Sequence, residues 1–312
     1  MRYGVVSGMT WAIDTLILGI ALGMTPFVDS QSAVALAAIT SAFLHDFFCA
    51  VWMFAYMAVR RRLKDTFDAL RTPAGRGVIF GALLGGPVGM TGYLIAIDNI
   101  GPSYTAIIST FYPAFGTLLA FVFLKERMRP HQVLALMTAL LAIVVMGYSS
   151  AGDDGSIHGL LGLLGALLCV VAWGSEAVIG AWSMRSEVVD NEVALHIRET
   201  TSALAYGILV VPVLGSWEFT LSTVWTAGNA VVLLAALAGT VSYLAYYKAI
   251  SRIGAAKGMA LNISYSAWAV VFALLFMKEL PSILEVVCCV VIMCGTILAA
   301  ANIRDLVPVR RK

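Results

Sequence analysis

Long apolar runs broken by short polar clusters set the rhythm of this 312-residue chain. A helix needs about 20 apolar residues to cross the hydrocarbon of a bilayer. Runs of that order lie at 4–26, 33–59, 76–97, 102–124, 131–149, 157–183, 192–213, 228–250, 255–277 and 284–303. The pattern predicts an all-α integral membrane protein with ten transmembrane helices, joined by turns such as Asp98-Asn99 and Leu280-Pro281.

Composition agrees with the pattern. Hydrophobic residues make up 60% of the chain and charged residues 12%, against roughly 25% charge in a soluble domain. The first 23 residues lack a basic leader, and Asp14 interrupts their apolar run, so they read as a retained first helix rather than a signal peptide. Cys49, Cys169, Cys288, Cys289 and Cys294 all fall in apolar runs without a CxxC or zinc spacing, which predicts buried, inert thiols. Neither HExxH nor GxSxG occurs, and His131 and His158 fall at span ends. An enzyme, a metal site and a cofactor are therefore not expected.

Charge placement orients the spans. With the N-terminus inside, 19 of the 20 Lys and Arg residues fall at cytoplasmic connections, and Lys278 alone lies outside. The positive-inside rule then predicts a multi-pass protein of the plasma (inner) membrane with both termini cytoplasmic.

The chain also resembles itself. A shift of 153 residues aligns Tyr93 with Tyr246, Gly101 with Gly254, Tyr112 with Tyr265, and Lys125-Glu126 with Lys278-Glu279. The same shift places His45-Asp46 on Arg198-Glu199, and a shift of 162 places Trp11-x-x-Asp14 on Trp173-x-x-Glu176. Five helices per copy is an odd number, so the second copy enters the membrane inverted. Two inverted five-helix repeats are predicted, residues 1–151 and 152–312, forming one transport unit.

Polar groups at membrane depth carry the functional argument. "AWGSEAVIGAW" (172–182) sets Glu176 inside an otherwise apolar run, where an uncompensated charge costs a few kcal/mol or more. Trp11 and Asp14, like Trp173 and Glu176, are three apart and share a helix face. His45, Asp46, Arg198 and Glu199 add a charge and coupling network; its plainer alternative is a structural one, with Arg198 neutralising Glu176 or Asp46. Tyr112, Tyr243, Tyr246, Asn262 and Tyr265 add aromatic and polar surface, as do Tyr247 and Trp268. Aromatic faces attract organic cations, and carboxylates balance their charge. Phosphate or sugar-nucleotide substrates would call for several central Lys or Arg. A small cationic molecule is the expected partner, beside membrane lipid; nucleic acid is not.

Several segments carry a family resemblance. They are "HDFF" (45–48), "GALLGGPVGM" (81–90), "STFYPAFGTLLAFVFLK" (109–125), "AWGSEAV" (172–178), "IRETTS" (197–202), "SYLAYYKAI" (242–250) and "LNISYSAW" (261–268). The five-plus-five arrangement resembles the drug/metabolite transporter superfamily, EamA type. The segments are most similar to LicB-type bacterial choline transporters. The resemblance implies import of choline or a related quaternary ammonium compound, with the proton gradient as one candidate driving force. It marks Trp11, His45, Trp173, Glu176, Tyr243, Tyr246 and Asn262 as ligand-site candidates. Asp14 and Glu199 depart from the family pattern, which has uncharged residues there. An exporter of amino acids or drug-like metabolites is the alternative within the superfamily.

Overall fold

A computed structural model describes residues 1–150, 159–278 and 280–300. Every regular element among them is helical. The first half holds α1 (Arg2–Leu22), α2 (Gln31–Val59), α3 (Leu63–Leu70), α4 (Pro73–Leu83), α5 (Gly89–Ser109), α6 (Tyr112–Leu119) and α7 (Pro130–Ser150). The second holds α8 (Gly159–Ser183), α9 (Asn191–Ala205), α10 (Val211–Val213), α11 (Trp217–Thr223), α12 (Ala227–Ile253), α13 (Ala255–Asn262), α14 (Tyr265–Phe272) and α15 (Ile283–Ala300).

Helix starts follow capping chemistry. The Ser30, Thr72 and Thr226 hydroxyls accept from the backbone N–H groups of Ala33, Gly75 and Asn229, and Asp190 accepts from Glu192 and Val193. The start of α13 is capped from the other half: the Glu126 carboxylate accepts from the N–H groups of Ala255 and Ala256 at 3.1 and 3.2 Å. Gly254, between α12 and α13, has φ +90°, and a Cβ there would also overlap the Glu126 carboxylate.

Seven helical stretches among the described residues are long and apolar enough to cross a membrane: Arg2–Leu22, Leu36–Val59, Pro73–Ile97, Leu160–Ser183, Ala227–Ile253, Ala255–Met277 and Ile283–Ala300. Tyr112–Leu124 and Pro130–Val145 are apolar but shorter. The run at 192–213 fails on composition, because α9 carries Glu192, His196, Arg198 and Glu199. Those residues are not left in lipid. The α9 residues from Val193 to Glu199 are all buried, so the polar helix runs through the interior of the bundle.

Two expectations need correction. The break at Asp98-Asn99 does not occur, since α5 continues to Ser109 and the interruption falls at Thr110-Phe111. The Asn99 amide donates to the Ile95 carbonyl at 2.8 Å, folding back onto its own helix instead of opening a turn. Cys294 is exposed rather than buried, while Cys49, Cys169 and Cys288 lie inside.

The 153-residue shift reappears in the backbone. π-helical turns cover Ala120–Leu124 and Ala273–Met277, and each ends on a left-handed lysine, Lys125 at φ 59° and Lys278 at φ 58°. A third π turn, Leu84–Val88, surrounds Pro87. Proline has no N–H to donate and its ring crowds the preceding turn, so the helix widens there. Packing interlaces the halves: α1 lies against α12 and α14, α4 and α5 against α8, and α2 against α9.

Candidate functional site

At the centre of the bundle lies a cavity of about 440 Å³, a size typical of small-molecule sites. Its deep wall is built around Arg198 of α9, which is 4% exposed. Its Nε donates to Glu176 Oε1 of α8 at 2.9 Å, and Nη1 donates to Glu199 Oε2 at 2.9 Å. The same Nη1 lies 3.7 Å from Asp46 Oδ1 of α2. The guanidinium carbon sits 4.5 Å from the centre of the Tyr243 ring on α12, and Nη2 donates to the Tyr243 hydroxyl at 3.3 Å. One arginine thus serves three carboxylates and one ring, answering the structural alternative raised for it. Breaking such a buried set leaves uncompensated charge, which is far more costly than the set itself.

Beside this cluster, His45 of α2 bridges to α1. Its Nε2 lies 3.0 Å from Asp14 Oδ1 and its Nδ1 3.6 Å from Asp46 Oδ1. Ser202 of α9 donates to the other Asp46 oxygen. Space for the His45–Asp14 pair comes from Gly239 on α12, where a Cβ would lie 2.8 Å from the His45 ring and 3.2 Å from Asp14.

Aromatic rings form the remaining walls. Trp11 meets Tyr243 edge-on at 5.1 Å between ring centres. Trp173 stacks on Tyr93 at 5.7 Å and meets Tyr112 edge-on at 6.0 Å. The Trp173 indole donates to the Gly85 carbonyl at 3.0 Å, fixing the ring against the π turn. Asn262, the last residue of α13, donates to the Tyr112 hydroxyl at 3.0 Å and accepts from Ser7 at 2.8 Å. Tyr246 meets Tyr247 edge-on, and Tyr265 opens α14 on the same cavity.

Of the residues marked from sequence, Glu199 and Trp268 do not face the cavity. Glu199 is fully buried behind Arg198, and its Oε1 has no hydrogen-bond partner among the described residues. Trp268 stacks on Phe272 instead of lining the site. Sequence reasoning missed Tyr93, Tyr206 and Ser242, which line it, and the roles of Gly85 and Gly86. A Cβ on Gly85 would overlap the Glu176 carboxylate, and one on Gly86 would overlap the Ser202 hydroxyl. Tyr93 had a visible signal in its alignment with Tyr246 at the 153-residue shift. The glycines carried a helix-packing signal in the small-residue run GALLGGPVGM, but not their partners, because only the fold brings α8 and α9 against the π turn.

The cavity is elongated along α1. It runs along α1 from Trp11 past Leu18 to Leu22, about 16 Å of helix. Ala38 of α2 with Leu94 and Ile97 of α5 line the same end. In the opposite direction along α2 and α9, Met53, Met57, Val193 and Ala194 are fully buried in one apolar cluster. Beyond that plug, Glu192 accepts from Tyr56 and Arg60 at 3.0 and 3.2 Å, and Arg62 pairs with Asp65, Asp190 and Glu192. Among the described residues no group of His, Cys, Asp and Glu is arranged to hold a metal ion. What the cavity offers is aromatic faces and carboxylates, the chemistry that holds a desolvated organic cation.

A model of the EamA-like transporter family matches residues 5–148 and again 160–301. Protein LicB of Haemophilus influenzae (strain ATCC 51907 / DSM 11121 / KW20 / Rd) is 27% identical over 278 residues, covering 89% of each chain. A solved crystal structure shares the fold with a TM-score of 0.71 at 19% identity, covering 96% of each chain.

Proposed function

The chain belongs to the EamA-like transporter family and is a membrane transporter rather than an enzyme; on that footing we propose that it imports choline or a related quaternary ammonium compound across the bacterial plasma membrane. Transport is secondary and active, by alternating access, with the proton gradient as the candidate driving force. In this reading the ten spans form two inverted repeats, 1–151 and 152–312, with both termini in the cytoplasm.

The observation that carries the proposal is the cavity wall. Trp11, Tyr243, Trp173 and Tyr112 surround it with rings, and Asp14, Asp46 and Glu176 supply negative charge. Such a wall suits a cation that cannot shed its charge, because a quaternary nitrogen has no N–H to pair and relies on ring faces. The similarity of seven segments to LicB-type choline transporters points to the same substrate class. With the N-terminus inside, the Leu22–Ile97 end of the cavity lies toward the exterior, and the Met53–Val193 plug with the Arg62 ion pairs lies on the cytoplasmic side. Importers and exporters both visit such a state, so the direction of transport rests on the likeness of the segments above.

Labelled choline offered to proteoliposomes tests this reading. Saturable uptake that is competed by unlabelled choline supports it. Absence of uptake, together with export of amino acids or cationic drugs from loaded vesicles, overturns it in favour of an exporter.

A further inference from the structure

The cavity is furnished for more than one ammonium centre. Its ring-and-carboxylate cluster occurs twice. Trp11, edge-on to Tyr243, shares a face of α1 with Asp14, and Trp173, packed on Tyr93 and Tyr112, shares a face of α8 with Glu176. The 162-residue shift that carries Trp11 onto Trp173 also carries Asp14 onto Glu176, so the two Trp–carboxylate pairs correspond, although the tyrosines packed on them do not. Both face the same cavity.

The charge balance gives a second, independent reason. Four carboxylates, Asp14, Asp46, Glu176 and Glu199, share one guanidinium and one imidazole, and all but Glu176 are buried. With all four ionised and His45 protonated, two negative charges among these groups lack a counter-charge. A single ammonium group then leaves one of them to be neutralised by a proton in a low-dielectric site. Two ammonium groups match both.

We propose, building on the reading of this cavity as a cation site, that it takes organic dications: two ammonium centres joined by a short flexible spacer. One centre sits at Trp11–Asp14 and the other at Trp173–Glu176. Joining the centres makes the second contact intramolecular, so affinity rises without any new type of contact.

The test compares monocations with a graded series on the purified full-length protein. Tetramethylammonium and choline are titrated calorimetrically beside bis(trimethylammonium) alkanes with spacers of two to six methylenes. The expected result is an optimum spacer that binds at least tenfold more tightly than choline. Asp14→Asn and Glu176→Gln, each tested separately, should shrink that ratio toward one. A second readout is stoichiometry, which should be one dication per protein. The proposal is overturned if choline binds as tightly as every dication, the pattern expected when a proton fills the second position. It is overturned as well if the ratio survives both substitutions. Failure of every ammonium compound to bind would overturn the cation reading itself, an outcome distinct from monocation binding alone.

Discussion

Arg198 Nε and Glu176 Oε1 are 2.9 Å apart, joined across α9 and α8 by a part-buried charge-assisted hydrogen bond. The carboxylate that interrupts an apolar run is therefore not bare. It is one of three sharing a guanidinium, and its other partner is the cavity. A ligand cation competes with, or adds to, a counter-charge already in place.

This arrangement separates the two members of the pair by phenotype. Glu176→Gln leaves Arg198 with Glu199 and Asp46, so the protein folds, and cation affinity falls about tenfold, or ~1.4 kcal/mol. Arg198→Met strands three carboxylates, and loss of one partner of a buried pair costs about 3–5 kcal/mol. Thermal unfolding in detergent should show a large loss for Arg198→Met and a small one for Glu176→Gln. Adding Glu199→Gln to Arg198→Met should recover part of the loss, since it removes one stranded charge. Equal destabilisation by the two single changes would contradict this division of roles.

The aromatic walls give a graded expectation. Trp173→Ala should weaken quaternary ammonium binding by about 1–2 kcal/mol, while Trp173→Phe keeps part of the affinity because a ring face remains. Trp173 also donates to the Gly85 carbonyl, a bond that Phe cannot make. A fluorescence or calorimetric titration that finds unchanged affinity in folded Trp173→Ala would remove this ring from the site.

Much of the site was legible because chemistry stood out against an apolar background. Trp-x-x-acid at helical spacing had to put ring and carboxylate on one face, and His45-Asp46 had to face protein rather than lipid. Pair partners were not legible. Arg198 could have answered Glu176, Asp46 or neither, and only the packing of α2, α8 and α9 decides that it answers both. The fold was legible wherever hydropathy alone decides, as in α1, α12 and α15. It failed at Asp98-Asn99, where a side chain bonded to its own helix masks the turn signal. Over 192–213 the expected helix is present, but its polar residues make α9 a poor lipid-facing span and a good interior helix.

Orientation is open to chemical labelling. Cysteine replacing Ser282 and cysteine replacing Lys64, both exposed positions, are introduced separately in a chain whose exposed Cys294 is changed to Ser. In intact cells an impermeant thiol reagent should reach position 282 and spare position 64 until the membrane is opened. Thr66 is a poor probe on the same segment, being buried and hydrogen-bonded to His196. The reverse pattern would turn the Leu22–Ile97 end of the cavity toward the cytoplasm and overturn the orientation argued above.

The π turn at Leu84–Val88 yields the sharpest test, because it separates space from chemistry. Pro87 widens the helix, and Gly85 and Gly86 bring its backbone against α8 and α9. Nothing about glycine itself binds a ligand; its contribution is the missing Cβ. A methyl on Gly85 would overlap the Glu176 carboxylate and a methyl on Gly86 the Ser202 hydroxyl, whereas one on Gly19 meets nothing within 4 Å. Gly85→Ala should therefore displace Glu176 from Arg198, with an overpacking cost of about 1–3 kcal/mol. It should also lower cation affinity as Glu176→Gln does. Gly19→Ala should be silent in both measurements. If Glu176 acts through its position on Arg198, combining Gly85→Ala with Glu176→Gln should lower affinity by less than the two changes added together. Full additivity in binding would mean that the turn and the carboxylate act on the ligand independently, and that the close approach at Gly85 serves packing alone.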